Sequence, residues 1–409
     1  MRILMVSDVY FPRVNGVSTS IQTFRNEFRA KGHDVTLIAP DYGEAKDDED
    51  DIIRIPSRRL VLDPEDRMMR RKELAAITED LRRQDFDIVH IQTPFVAHYA
   101  GVAISKQLNL PRIESYHTFF EEYLYHYVPF LPKSWLRFVA RRFTKSQCND
   151  VHGVIVPSTA MLEVLRNYGV QTQMKIAPTG IEIERFSVGN GDGFRSRFGI
   201  PADRPTLVHV GRVAHEKNMD FLLHVLQVVV RSIPDVLLVI AGEGPALTHL
   251  KTLTAQLGLM QNVLYIGYLD RNKDLLDCYC AGDAFIFASR TETQGLVLLE
   301  AMALGLPVVS TSVMGTKDIL DPQRGALVAL ENVDDFAAKV IRILTEPKLR
   351  ANLSADAKEY VKSWSAAEMA DKTLAFYQTV INSYNAGIGD RERTQATTLT
   401  DGESNSDCA

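Results

Sequence analysis

The stretch that decides the fold runs from Ala284 to Ala303 and reads Ala284-Phe-Ile-Phe-Ala-Ser-Arg-Thr-Glu-Thr-Gln-Gly-Leu-Val-Leu-Leu-Glu-Ala-Met-Ala303. It begins as a short apolar run, which is typical of a buried parallel strand, and continues through a polar turn into an apolar helical segment. A strand that leads through a glycine-bearing turn into a helix is the repeating unit of a doubly wound α/β domain. Because such domains bind ligands at the carboxyl ends of their strands, the stretch predicts a fold class and the position of a site.

Similar apolar runs recur along the chain and alternate with helical patterns, which predicts parallel sheets that are covered on both faces. They lie at Ile3–Ser7, Val35–Ala39, Ile88–Ile91, Val154–Val156, Leu207–Val210, Leu237–Ala241 and Val308–Ser310. A chain of 409 residues is about twice the length of a typical domain, so two domains are expected.

A polar, glycine-containing segment at 187–193 separates the two series of strands. We therefore predict a first Rossmann-like domain at residues 1–185 and a second at 186–365, followed by a helix at 366–386 that packs back on the first domain. The remaining segment, 387–409, is polar and almost without apolar anchors, and is predicted to be disordered.

Composition excludes several other classes of protein. The net charge is −6, and residues 1–185 carry 25 basic and 25 acidic side chains, so nothing general supports nucleic-acid binding. The four cysteines show no zinc-site spacing and fit a reduced, cytoplasmic protein. The apolar start of the chain meets Asp8 too early for a signal peptide, and no run approaches the roughly 18 apolar residues of a membrane span. Any membrane contact is therefore expected to be peripheral.

The turn within the opening stretch carries the strongest chemical signal. Gly295 permits close approach of the backbone to a ligand, and the free N–H groups of the helix that starts near Leu296 favour phosphate. Glu292 is placed to contact sugar hydroxyls, and Glu300 a ribose diol. The alternative is that the two glutamates are a helix-end charge and a solvated residue, but apolar neighbours on both sides of Glu300 argue against solvation.

A second motif runs from Val208 to Asn218 and places Gly211-Arg212 and Lys217 after an apolar strand. Two cations at the carboxyl end of a strand are suited to clamp a diphosphate and to stabilise its charge as it leaves. In isolation, such cations are often only solvated.

Two further loops carry weaker signals. Gly16, in Asn15-Gly-Val17, precedes an amphipathic helix and permits close approach of a donor. His117 follows the strand near Arg112 and is placed to contact a reacting sugar, although a lone histidine is more often structural.

No metal ion and no cofactor are expected. Asp85-Phe-Asp87 has the D-x-D spacing of metal-dependent transferases, but it precedes the strand Ile88–Ile91 and so lies at the wrong end of it. Gly242-Glu-Gly244 lacks the third glycine of a dinucleotide-binding fingerprint, and the chain has no Walker A sequence.

Together these motifs resemble those of the retaining glycosyltransferases of family 4, over about residues 1–385. The residues that carry the resemblance are Glu292, Glu300, Gly211-Arg212, Lys217-Asn218, Asn15-Gly16-Val17 and His117. The resemblance implies the GT-B fold, in which two Rossmann-like doubly wound domains face each other across a cleft.

The resemblance also implies roles for these residues and a nucleotide-diphosphate sugar as co-substrate. In that scheme Arg212 and Lys217 hold the diphosphate, and the leaving phosphate helps to deprotonate the acceptor. Glu300 meets the ribose, Glu292 and the backbone amides of Gln294, Gly295 and Leu296 meet the sugar, and His117 hydrogen-bonds the sugar near its anomeric carbon.

The acceptor is indicated by the segment Phe119–Lys145. Its first part, to Pro132, is densely aromatic, and its second part places aromatic residues beside five basic residues and no acidic one. Within the second part we select Trp135, Phe138, Arg141 and Arg142 as membrane or acceptor contacts, because this combination suits an interfacial segment on an anionic membrane. The segment resembles that of family members that glucosylate diacylglycerol. The alternative interpretation is a buried helical hairpin whose basic residues form its solvent-exposed face.

The resulting hypothesis is transfer of a hexose, from UDP-glucose, to a membrane lipid such as diacylglycerol at the inner face of the cytoplasmic membrane. One alternative is a GDP-mannose-dependent α-mannosyltransferase that acts on a saccharide or a phosphoinositide. Another is a nucleotide-sugar epimerase or a sugar-binding protein of the same fold, since fold alone does not determine activity.

Overall fold

The computed structural model describes residues 1–43, 50–59, 67–117, 119, 132–271 and 273–403. The chain forms two compact units. Unit 1 comprises Met1–Val156, Leu162–Ala177 and Ala370–Ala409, and unit 2 comprises Pro157–Met161 and Pro178–Met369. The main boundary, at Ala177–Pro178, falls a few residues before the junction that composition indicates.

Unit 1 is built on a seven-stranded parallel sheet with the order β3-β2-β1-β6-β7-β8-β9, and β4 and β5 form a separate antiparallel pair. The strands are β1 Arg2–Val6, β2 Asp34–Pro40, β3 Ile52–Ile55, β4 Ser57–Arg59, β5 Arg67–Met69, β6 Ile88–Ile91, β7 Arg112–Ser115, β8 Gly153–Val156 and β9 Met174–Ile176. In register, Ile3 lies opposite Val35 on one side and Ile88 on the other, so β1 is central and its residues 3–6 are buried.

The helices that follow these strands are amphipathic or short. They are α1 Gly16–Ala30, α2 Arg71–Ala76, α3 Thr78–Arg82, α4 Val96–Leu108, α5 Lys133–Asn149 and α6 Thr159–Asn167. Asn15 caps α1 by accepting the N–H of Ser18 at 2.8 Å, which fixes where the helix begins. Asn109, in the left-handed conformation, ends α4.

Unit 2 contains a six-stranded parallel sheet with the order β12-β11-β10-β13-β14-β15. The strands are β10 Thr206–Val210, β11 Leu237–Ala241, β12 Val263–Gly267, β13 Ala284–Phe287, β14 Val308–Thr311 and β15 Ala326–Ala329. The helices are α7 Gly191–Arg197, α8 Met219–Ser232, α9 Leu247–Gln256, α10 Asp274–Cys280, α11 Leu296–Ala303, α12 Lys317–Leu320, α13 Val333–Thr345 and α14 Pro347–Tyr360.

The strands of unit 2 are mostly apolar because both faces of the sheet interior are covered. Val208 and Phe285 point into one core cluster, whereas their neighbours Leu207 and Ile286 point into the other. Successive side chains of a strand alternate between faces, so a strand buried on both sides lacks polar alternation. The prediction of doubly wound parallel sheets is confirmed.

The last helix, α15 Ala366–Glu403, contributes core residues to unit 1. Its fully buried Tyr377 packs against Phe28, with ring centroids 5.6 Å apart, and its hydroxyl contacts Nδ1 of His90 at 2.5 Å. Lys31 pairs with Asp371 at 2.7 Å. The helix extends into the segment 387–409, of which residues 404–409 lie outside the described part, and disorder there stays a prediction.

Candidate active site

The loops that follow β10 and β13 bring two of the predicted site residues together in unit 2. These strands are neighbours in the sheet, so their carboxyl ends lie side by side. Lys217 ends a short 3-10 helix, His215–Lys217, and its ammonium pairs with the carboxylate of Glu292. Both side chains are partly buried. Because they follow the carboxyl ends of β10 and β13, the pair lies at the edge of the sheet where a doubly wound domain binds ligands.

Asn218 attaches the Lys217 loop to the neighbouring strand. Its backbone is left-handed, and its side-chain amide donates to the carbonyl of Ala288 at 3.2 Å and to Glu331 at 3.3 Å. Glu331 also accepts a hydrogen bond from Nε of Arg290 at 2.7 Å, which lowers the pKa of the Glu331 carboxyl. Asn218 belongs to the motif Val208–Asn218, but nothing in the sequence indicates this bridging role.

Arg212, the other predicted clamp residue, has an exposed side chain. Within the part of the chain that the structure describes, no side chain forms a hydrogen bond or an ion pair with it. One cation of the motif is therefore held by a carboxylate, and the other is open to solvent.

The turn before α11 requires glycine at position 295. Gly295 has a φ of +97°, and a β-carbon there would lie 3.0 Å from the methyl group of Thr316. The first N–H groups of α11 have no intrahelical acceptors, so they favour an anion. The buried side chain of Gln294 exchanges two hydrogen bonds with the backbone of Thr179, at 2.9 and 2.7 Å, which hold this side chain in place.

Glu300 lies inside α11 with 1% of its surface exposed, which excludes the interpretation as a solvated residue. Arg271 pairs with one carboxylate oxygen, and the hydroxyl of Tyr279 donates to the other at 2.8 Å. The adjacent Glu300 charge raises the pKa of Arg271, and burial raises that of Tyr279. Sequence reasoning missed both partners, which lie 29 and 21 residues from Glu300 and follow no periodic spacing.

In unit 1, His117 lies just beyond the carboxyl end of β7. Its Nε2 is 3.3 Å from Oε1 of Gln92, which follows the adjacent strand β6. Burial lowers the pKa of His117 to about 4, so the imidazole is neutral at physiological pH. A neutral imidazole with Nε2 protonated offers a hydrogen bond without a charge.

Gly16 is the first residue of α1, also at this edge of the sheet. A β-carbon there would meet no atom of the described residues within 4 Å, and its φ does not require glycine. The described part of the protein therefore leaves room at the start of α1.

Asp8 is a buried carboxylic acid at the carboxyl end of β1 that sequence reasoning did not select. It accepts the N–H groups of Phe95 at 3.2 Å and Ala97 at 3.0 Å, and the hydroxyl of Thr93 at 2.9 Å. Burial raises its pKa to about 7 despite these hydrogen bonds. Asp8 thus fixes the beginning of α4 at the same edge as Gln92 and His117.

The selected membrane residues all lie on the outward side of α5. Trp135 and Phe138 are 53% and 62% exposed, and Arg141 and Arg142 are exposed as well, whereas Leu136 and Ala140 face the core. The alternative of a buried aromatic hairpin is therefore wrong for Trp135 and Phe138. Residues 118 and 120–131, which include most of the aromatic stretch, lie outside the described residues.

Three observations bear on metal binding and on membrane insertion. Asp87, of the D-x-D sequence, accepts the backbone N–H of Arg2 at 2.7 Å. Among the described residues no group of three or more His, Cys, Asp or Glu side chains is arranged to hold a metal ion. Within the same part of the chain, every helix is too short or too polar to span a bilayer.

Two family models match the chain, one to each half. Residues 14–185 match Glycosyltransferase Family 4, and residues 192–360 match Glycosyl transferases group 1. The alpha-monoglucosyldiacylglycerol synthase of Streptococcus pneumoniae is 32% identical and aligns over 94% of this chain and 87% of its own length.

A second relative and a solved structure extend the comparison. The GDP-mannose-dependent alpha-mannosyltransferase of Mycobacterium tuberculosis is 27% identical over 93% of this chain and 97% of its own. The structure of sucrose-phosphate synthase from Thermosynechococcus elongatus superposes with a TM-score of 0.74 at 20% identity, covering 93% of this chain and 99% of its own. The chain is a glycosyltransferase with the GT-B fold and belongs to glycosyltransferase family 4.

Proposed function

We propose that this enzyme is a retaining glucosyltransferase that moves glucose from UDP-glucose to diacylglycerol at the inner face of the cytoplasmic membrane, without a bound metal. The observation that carries the proposal is the outward aromatic and basic face of α5, in a chain that aligns along nearly its whole length with an alpha-monoglucosyldiacylglycerol synthase. Aromatic side chains beside basic ones suit the boundary between acyl chains and anionic headgroups.

In the proposed reaction, the bond between the anomeric carbon and the β-phosphate oxygen breaks, and its electrons stay on the phosphate. Arg212 and Lys217 stabilise that charge, and Lys217 exchanges its contact with Glu292 for the diphosphate. The acceptor hydroxyl oxygen bonds to the same face of the anomeric carbon, and its proton passes to the leaving phosphate. Two cations at this position stabilise the transition state more than the ground state, because the negative charge develops as the bond breaks.

The remaining residues position the donor. Glu292 and the backbone amides of Gln294, Gly295 and Leu296 bind the sugar, and Glu300 binds the ribose. Gly16 leaves space for the diphosphate at the start of α1. His117, neutral because its pKa is lowered by burial, hydrogen-bonds a hydroxyl of the transferred sugar without adding a charge near the anomeric carbon.

The proposal is tested by offering the purified enzyme radiolabelled UDP-glucose, UDP-galactose, UDP-glucuronate or GDP-mannose with diacylglycerol in mixed micelles and a chelator. We expect label in the lipid extract from UDP-glucose, and release of the α-linked sugar by an α-glucosidase. Label only in water-soluble product would overturn the lipid acceptor, and a β-linkage would overturn retention.

The same assay separates the alternatives. Transfer from GDP-mannose alone would favour a mannosyltransferase, an activity named for a relative that also aligns over most of its length. Conversion of one nucleotide sugar into another without any transfer would indicate an epimerase.

Replacing Trp135 and Phe138 together by alanine is expected to lower affinity for anionic vesicles by about 30-fold or more, because each large apolar side chain contributes on the order of 1.5–3 kcal/mol when buried. Replacing Arg141 and Arg142 by glutamine should lower it by about fivefold per charge at low salt, with the difference shrinking as salt is added. Sedimentation with vesicles measures both effects.

Met260→Ala is the matched control, since Met260 is an exposed apolar residue of unit 2. Vesicle binding that is unchanged in the Trp135 and Phe138 double variant, with its thermal unfolding also unchanged, would remove α5 from the membrane contact.

A further inference from the structure

An apolar groove lies in unit 1 between α4 and the α2–α3 segment. It has a volume of about 250 Å³. Its walls include Leu74 and Ala75 from α2 and Val96, Ala100, Ala103 and Ile104 from α4. The two alanines on α4 leave the space that larger side chains would fill.

The groove offers little to a polar ligand. Thr78, one of its few polar lining residues, already donates its hydroxyl to the carbonyl of Leu74 at 3.2 Å. The guanidinium of Arg71 lies 5.8 Å from the centre of the Tyr99 ring, at the rim. A ligand inside the groove therefore gains mainly from the burial of apolar surface.

The groove starts at the reacting edge of the sheet. Val96 is the first residue of α4, and the N–H groups of its two neighbours are held by Asp8 at the carboxyl end of β1. Gln92, four residues earlier, contacts His117. From Val96 the lining follows one face of α4 to Gln107, a length of about 16 Å at the helical rise of ~1.5 Å per residue.

The volume decides which apolar ligand fits. It is smaller than the roughly 300–1,000 Å³ of typical small-molecule sites, which favours a slim apolar ligand over a nucleotide. An apolar space whose lining follows one face of α4 is suited to a single alkyl chain. The exposed face of α5 is a different surface, so contact with the bilayer does not account for this groove.

We propose that this groove holds one acyl chain of the acceptor lipid, and thereby delivers the acceptor hydroxyl to the edge where His117 lies. The inference rests on the proposed function, since it assumes a lipid acceptor. It makes Ala100 and Ala103 specificity-determining residues for acyl-chain length.

The test fills the groove from its solvent side. Ala103 and Ala75 are exposed, so Ala103→Phe and Ala75→Phe change the groove without disturbing the core. Ala76→Phe is the matched control, because Ala76 is exposed on the same helix as Ala75 but does not line the groove. Each variant is assayed with a series of diacylglycerols of increasing chain length in micelles of fixed composition.

We expect kcat/KM of the wild-type enzyme to rise with chain length. Ala103→Phe and Ala75→Phe should remove this rise and lower kcat/KM for the long-chain acceptors by about tenfold or more, mainly through KM, because a few methylenes are excluded from an apolar site. Short-chain acceptors, vesicle binding and the Ala76→Phe variant should change less than about twofold. An equal loss at all chain lengths, or a loss of vesicle binding, would overturn the proposal.

Direct binding of a fluorescent fatty acid separates this inference from the proposed function. If the wild-type enzyme glucosylates diacylglycerol but Ala103→Phe binds the probe as well as wild type does, the groove assignment is wrong and the function stands. If no diacylglycerol is glucosylated but the probe binds to wild type and Ala76→Phe and not to Ala103→Phe, the acyl groove stands and the acceptor is wrong.

Discussion

Replacing Lys217 by alanine is expected to lower kcat by about 10²–10³-fold, the usual cost of removing one fixed group that stabilises developing negative charge. Its ammonium is held at the carboxyl edge of the sheet by Glu292, at the end of a 3-10 helix that Asn218 fixes to the neighbouring strand. A cation that is positioned before the reaction needs little reorganisation when the diphosphate leaves. Arg212→Ala should lower kcat by a similar factor.

The two variants are expected to differ in stability. Arg212 is exposed and has no partner among the described residues, so its removal leaves no carboxylate behind. Lys217→Ala leaves Glu292 without its cation, at a cost of about 1 kcal/mol for a partly buried pair. Lys217→Ala/Glu292→Gln should regain most of this stability and none of the activity.

Steady-state rates and thermal unfolding measure these effects. Lys348→Ala and Arg231→Ala are matched controls, because both side chains are exposed on helices of the same unit. A folded Lys217→Ala or Arg212→Ala enzyme with the wild-type rate would remove that residue from the diphosphate clamp.

The fold and half of the unit 2 site follow from local sequence patterns. Strand β13 is a continuous apolar run and β10 is mostly apolar, and the loops after them carry Glu292 and Lys217. Once adjacent parallel strands are assumed, the carboxyl ends of those strands meet, and so do the loops. This is why the proximity of these side chains could be predicted without knowing any contact.

The surroundings of Glu300 could not be predicted in this way. Arg271 follows β12, which is separated from β13 by two strands of the sheet, and Tyr279 lies in α10. Their approach to Glu300 depends on how loops and helices pack over the sheet. No regular spacing of residues along the sequence indicates that packing. Asp8 could not be predicted for the same reason, since its role as a hydrogen-bond acceptor depends on the position of α4, which begins 88 residues later.

The orientation of α5 was undecided by sequence because two stripes of residues have helical spacing. Leu136, Ala140 and Thr144 form the buried stripe, although Trp135 and Phe138 are larger and more apolar than most of it. Hydrophobicity alone ranks the aromatic residues as core, and only packing shows that they face outward.

Replacing Arg271 by methionine is expected to lower the free energy of unfolding by about 3 kcal/mol, the cost of removing one partner from a buried ion pair. Glu300, with 1% of its surface exposed, would keep only the Tyr279 hydroxyl among the described side chains as a partner for its charge. Glu300→Gln should cost less, about 1–2 kcal/mol, because the Arg271 guanidinium is partly exposed and can turn to water.

Urea unfolding of Arg271→Met, Glu300→Gln and the double variant, with Arg231→Met as an exposed control, measures this asymmetry. The double variant should regain most of the loss seen in Arg271→Met, because it removes the buried charge together with its partner. If Glu300 also binds the ribose of the donor, Glu300→Gln raises KM for the nucleotide sugar, whereas the double variant regains stability but not affinity. Equal stabilities for Arg271→Met and wild type would show that Tyr279 and the helix backbone alone compensate the Glu300 charge, leaving Arg271 free to move when a donor binds.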